Sequence, residues 1–236
     1  MFRPHSGLSA RQIIMIERAL IQFIFWLAFL LLVSFLLERI WAGIFSGRNY
    51  QLLVFPGVLV HEFSHALGCL VSGAKIIEIS LFSSKGSYVK HEKPRVPLLG
   101  SFIISFAPIA GGIAFLWGIT GLLGFVLPPL ESSSLFERVR GLVHFTAANW
   151  NGWMFWLFVY ITISVVICLV PSRQDFKNSA VSTFIILSAV FLISYLGVVD
   201  LEPFLSYISG ILTVGAFFGL FALAFSVPVY LLKKLI

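Results

Sequence analysis

The chain has 236 residues, of which 59% are hydrophobic and only 11% charged. A water-soluble domain would be about a quarter charged, so the composition excludes a soluble globular enzyme or binding module and calls for a membrane protein with room for roughly six spans of about 20 residues. The net charge of +6 sits between the apolar runs. Membrane topology and contact with the anionic headgroups of a lipid bilayer account for it, and nucleic acid is not expected as a partner.

The first apolar run, 19–37, is too long for a signal-peptide core and has no small-residue cleavage site after it, so it reads as a retained anchor. Further spans are expected at 52–72, 100–127, 143–170, 180–199 and 207–232. Between the second and third, Ile76 to Phe82 is rich in β-branched and aromatic residues. Gly86 supplies a turn signal, and Tyr88 to His91 can return as a second strand. The expected fold is therefore an all-α polytopic membrane protein of about six transmembrane helices, with a short β-hairpin after the second. It forms a single membrane-embedded domain over 1–236, with its functional core at about 50–180 and two C-terminal helices at about 180–232. If six spans alternate, Arg3, Arg11, Arg18, Lys75, Lys85, Lys90, Lys93, Arg95, Arg173, Lys177, Lys233 and Lys234 share one face, and the positive-inside rule places both termini in the cytosol. Gly210, Gly215 and Gly219 fall near one face of the last span, where helix packing is the expected role and a gate or a dimer contact the alternative.

The second span holds His61-Glu62-Phe63-Ser64-His65. Ionisable groups in hydrocarbon are costly and need a reason. Two histidines four residues apart share a helix face, so His61 and His65 can hold one zinc ion, with Glu62 beside them as general base toward a water. A third ligand is needed, and the chain has two aspartates, Asp175 and Asp200. Asp200 lies with Glu202 on the side expected to be external. Depth favours Asp175, with Pro171 breaking the fourth span ahead of it, although Arg173, Asp175 and Lys177 would also suit an ordinary charged loop. Cys69, one turn beyond His65, and Cys168 both lie in apolar runs and read as packing residues, with Cys69 an outside candidate ligand. His5, His91 and His144 lack comparable spacing and read as terminal, interfacial and loop residues. Asn149 and Asn151 receive no catalytic role.

Leu59-Val-His-Glu-Phe-Ser-His-Ala-Leu-Gly68, the loop at Gly73, the β-like segment and Phe106-Ala-Pro-Ile-Ala-Gly-Gly112 together resemble the site-2 protease (M50-type) family of intramembrane zinc metalloproteases over about residues 50–180. The resemblance implies a zinc metalloendopeptidase, with His61, His65 and Asp175 as ligands of Zn2+, Glu62 as the catalytic base and a transmembrane protein as substrate. The aspartate segment here reads Pro171-Ser-Arg-Gln-Asp175-Phe where the family has Asn-x-x-Pro-x-Pro-x-Leu-Asp-Gly, so the chain resembles a divergent branch with a Pro-Ser-x-x-Asp variant. That variant leaves room for a catalytically silent relative that binds membrane proteins. A transporter would need ionisable residues on several spans and an internal repeat, neither of which is seen.

Overall fold

The computed structural model describes residues 10–45, 47–81, 87–127, 135–169, 173–195 and 202–235. It is mostly helical: α1 (Ala10–Ile44), α2 (Gly47–Ser72), a hairpin of β1 (Ile76–Ser80) and β2 (Tyr88–His91), α3 (Pro97–Leu122), α4 (Leu135–Asn149), α5 (Trp153–Ile167), α6 (Arg173–Tyr195) and α7 (Glu202–Leu235). Four of these, within α1, α2, α3 and α7, are long and apolar enough to cross a membrane. Their outer faces carry large apolar side chains, with Leu122 87%, Val71 76% and Phe63 64% exposed. Water would not tolerate so much apolar surface, whereas acyl chains match it.

The expected fourth span, 143–170, is two helices. Asn149-Trp150-Asn151-Gly152 interrupts it, because asparagine and glycine are poor helix formers, and Gly152 adopts an extended backbone ahead of α5. His144, expected in a loop, is an exposed residue of α4. The hairpin forms as expected, with antiparallel pairing from Ile76↔His91 to Ser80↔Tyr88 and a register irregularity between Ile76 and Glu78. Gly73, at φ +67°, makes the turn that leads α2 into β1. Gly86 and Pro171, the expected turn and span breaker, lie outside the described residues, as do His5 and Asp200.

Helix α2 packs between α3 and α5 through small residues. A Cβ on Gly68 would meet Ile104 and Ala107, and one on Gly111 would meet Ser64, so α2 and α3 approach backbone to backbone as antiparallel neighbours. A Cβ on Gly57 would run into the Ser164 carbonyl, and the Gly57 N–H donates to Ser164 Oγ at 2.8 Å. Contacts from Leu52 to Tyr160, Gly57 to Ser164 and His61 to Cys168 climb both helices in step, so α5 runs parallel to α2. α7 closes over α5 through a phenylalanine cluster. Phe221 lies 5.5 Å from Phe158 and 5.9 Å from Phe155, ring centre to ring centre, while Phe225 lies 5.7 Å from Phe155. Each such edge-on or tilted pair contributes about 0.5–1.5 kcal/mol beyond burial.

α1 and α7 pack along their length, with Gly215 against Leu30, Gly219 against Val33, Trp41 Nε1 donating to Ser226 Oγ at 2.8 Å, and Lys233 Nζ donating to the Gly43 and Ile44 carbonyls at 2.6 and 2.9 Å. Residue numbers rise together in these pairs, so α1 and α7 run parallel. Six alternating spans would run them antiparallel. Of the three glycines expected to pack, Gly215 and Gly219 do so; a Cβ on Gly210 would meet nothing within 4 Å.

Gly57→Ala is expected to lower the thermal stability of the detergent-solubilised protein by about 1–3 kcal/mol, the usual cost of overpacking a close contact. Gly210→Ala should be neutral or stabilising by up to about 1 kcal/mol, since alanine is the better helix former and the space is open. Thermal unfolding of both variants beside the wild type checks this pair.

Candidate metal centre

His61 and His65 stand on the same face of α2, one turn apart, with Nε2 atoms 3.1 Å from each other. His65 Nε2 lies 3.4 Å from Oδ2 of Asp175, which enters from the first turn of α6. These three residues form a metal-competent group in which each offers one ligand atom within 4.8 Å of the others. His65 is 5% exposed. His65 stands seven residues before the end of α2, about 10 Å along the axis at 1.5 Å per residue, so the group lies inside the bundle toward the hairpin end.

The other ring nitrogens define the tautomers. His61 Nδ1 lies 2.6 Å from the Cys168 carbonyl, and His65 Nδ1 lies 2.8 Å from the Ile104 carbonyl. A carbonyl only accepts, so each ring must carry its proton on Nδ1 and donate it outward. Both Nε2 lone pairs then point at one another and at a carboxylate oxygen. Three electron-pair donors cannot converge at such distances in a low-dielectric interior unless a cation or a proton sits among them.

Zinc suits the donor set. With metal–nitrogen and metal–oxygen bonds of about 2.0–2.1 Å, the edges of a tetrahedral site would be about 3.3 Å; two of the three observed edges are 3.1 and 3.4 Å, and the third, from His61 to Asp175, is within 4.8 Å. Outward hydrogen bonds from Nδ1 to fixed carbonyls are the usual way metal-binding histidines are oriented. Asp175 gains from its place in the first turn of α6, where helix dipoles favour a negative charge, and Ser105 Oγ of α3 donates to the Asp175 backbone carbonyl at 3.3 Å.

Glu62, next to the group on α2, is 3% exposed. Ser87, just ahead of β2, lies close enough to the Glu62 carboxylate to favour its charged form, while Glu62 Oε2 has no hydrogen-bond partner among the described residues. The hairpin therefore reaches the carboxylate beside the metal group. The sequence-expected set of His61, Glu62, His65 and Asp175 is brought together. Cys69 is not, since it packs with Ala74 and Ile104 in a separate small cluster. Sequence reading missed the Ile104 and Cys168 carbonyls, Ser105 and Ser87. Ser105 and Ser87 are single hydroxyls without a spacing signal, and a main-chain carbonyl leaves no side chain to notice.

No family model matches the chain, and comparison with curated proteins and with solved structures likewise finds no match.

Proposed function

We propose that this chain is an intramembrane zinc metalloprotease that hydrolyses peptide bonds in or near the transmembrane segments of other membrane proteins. The observation that carries the reading is the convergence of His61 Nε2, His65 Nε2 and the Asp175 carboxylate inside a membrane-embedded bundle, with a buried glutamate at its side. Three protein ligands, as here, are the number that catalytic zinc takes, whereas structural zinc takes four. Zinc at this site would polarise a scissile carbonyl and bring the pKa of a water down toward about 7.

The remaining work falls to the chain. Glu62 takes the proton of the attacking water and can return it to the leaving amine, for which its Oε2, without a hydrogen-bond partner among the described residues, is available. His61 and His65 are kept in one tautomer by the Cys168 and Ile104 carbonyls. The hairpin supplies strand edges within reach of Glu62, where an extended segment can pair by main-chain hydrogen bonds. A substrate must be extended there, because a helix hides its carbonyls in its own hydrogen bonds.

We also infer the topology. The α2–α3 contacts are antiparallel, the α2–α5 contacts parallel, and α7 runs with α1. Crossings by α1, α2, α3 and the α4–α5 pair return the chain to its starting face, so α7 leaves from the N-terminal face and ends on the opposite one. On this count α6, which packs against α3, adds no crossing. The N-terminal face still holds Lys75, Lys90, Lys93 and Arg95 of the hairpin region, which keeps it cytosolic under the positive-inside rule and puts the metal group near that face.

Reconstitution with a panel of single-span membrane proteins, followed by mass spectrometry for new chain ends, tests the activity. The wild type should produce cuts in or beside spans. Glu62→Gln should lower them by about 10²–10⁴-fold, the usual contribution of a general base, while retaining zinc; full cleavage in that variant would remove Glu62 from the mechanism. For topology, Arg3→Cys and Lys234→Cys in a Cys69→Ala, Cys168→Ala background should react with an impermeant maleimide from opposite sides of sealed vesicles. Labelling from the same side would restore an even number of crossings.

A further inference from the structure

We propose that Pro108, inside α3, is a positioning residue for the metal centre: it releases the Ile104 carbonyl from the helix so that this carbonyl can hold His65. The proposal rests on the zinc-site reading above. In an unbroken α-helix the N–H of residue 108 would donate to the carbonyl four residues earlier, which is that of Ile104. Proline has no N–H, and its ring presses on the same carbonyl and turns it away from the helix axis.

A released carbonyl in a membrane-embedded helix needs a partner. Ile104 receives one from His65 Nδ1 at 2.8 Å in a buried bond between α3 and α2. Gly68 lets the two backbones come close enough, since a Cβ there would stand 3.0 Å from Ile104 Cα. Pro108 is itself buried in α3. The proline thus acts through a carbonyl on its own helix to choose which nitrogen of a histidine on another helix faces the metal.

Two further places in the chain use the same device. Pro56 in α2 releases the Leu52 carbonyl, and the Tyr160 hydroxyl donates to it at 3.3 Å. α5 ends at Ile167, so the Cys168 carbonyl lies beyond the helix's own hydrogen bonds, and it accepts from His61 Nδ1. Both histidines are therefore held by carbonyls that a helix interruption has set free, one by proline and one by termination.

The test combines two measurements on purified protein. Nitrogen NMR of histidine-labelled, metal-free protein, with the signal assigned by comparison with His65→Gln, reads which ring nitrogen carries the proton. Zinc competition against a chelator of known affinity reads the site. The wild type should show His65 protonated on Nδ1. Pro108→Ala restores the N–H, and should shift His65 toward the other tautomer and weaken zinc binding by about 10–100-fold, the usual effect of losing an orienting partner. Pro228→Ala, inside α7, should change neither. Should the alanine variant not be recovered folded, Pro108→Gly restores the same N–H without a Cβ. An unchanged tautomer and zinc affinity in the Pro108 variant would overturn the proposal, as would a wild-type His65 protonated on Nε2. A wild type that binds no zinc would instead sink the zinc-site reading, and the tautomer would still judge the link from Pro108 to His65.

Discussion

Two imidazole lone pairs and a carboxylate oxygen meeting inside a membrane-embedded bundle are the constraint on which the rest of this structure depends. Such a group is repulsive by itself, and water, which would screen it at a surface, is scarce at this depth. It is tolerable only with a cation or a proton among the donors and with the outward ring nitrogens of both histidines engaged. The close approach of α2 and α3 at Gly68 and Gly111 places the Ile104 carbonyl against His65, and the parallel packing of α5 on α2 places the Cys168 carbonyl against His61. The bundle is organised so that the polar atoms it buries have somewhere to go.

Helix interruptions are the means. A membrane helix normally consumes all of its own backbone polar groups and has none to lend. Pro56, Pro108 and the end of α5 each free a carbonyl, and each of those carbonyls accepts a side-chain hydrogen bond from a neighbouring helix. The long helices α1 and α7 and the phenylalanine cluster around Phe221 supply the opposite property, an apolar frame away from the site. The β-hairpin brings Ser87 to Glu62 from the end of the bundle nearest the metal group.

Much of this was legible in the sequence, for reasons that differ by feature. The apolar runs mark α1, α2, α3 and α7 because length and hydropathy alone decide whether a helix can cross, and β-branched residues followed by a turn signal mark the hairpin. His61 and His65 reveal themselves by helical spacing, and Asp175 by the scarcity of aspartate. The fourth span looks continuous in hydropathy, which runs through Asn149 to Gly152, where only local backbone preference breaks the helix. The parallel course of α1 and α7 follows from which faces pack, which hydropathy does not record. The orienting carbonyls carry no side-chain signal, yet Ile104 was discoverable in principle, since a proline inside a membrane helix names the carbonyl four residues before it.

The most direct test of the account is the metal content of the purified protein, prepared without chelators, for the wild type and Asp175→Ala side by side by elemental mass spectrometry. One zinc per wild-type chain and a clear loss in the variant are expected. Zinc retained at full occupancy in Asp175→Ala, or no metal in the wild type, would contradict it.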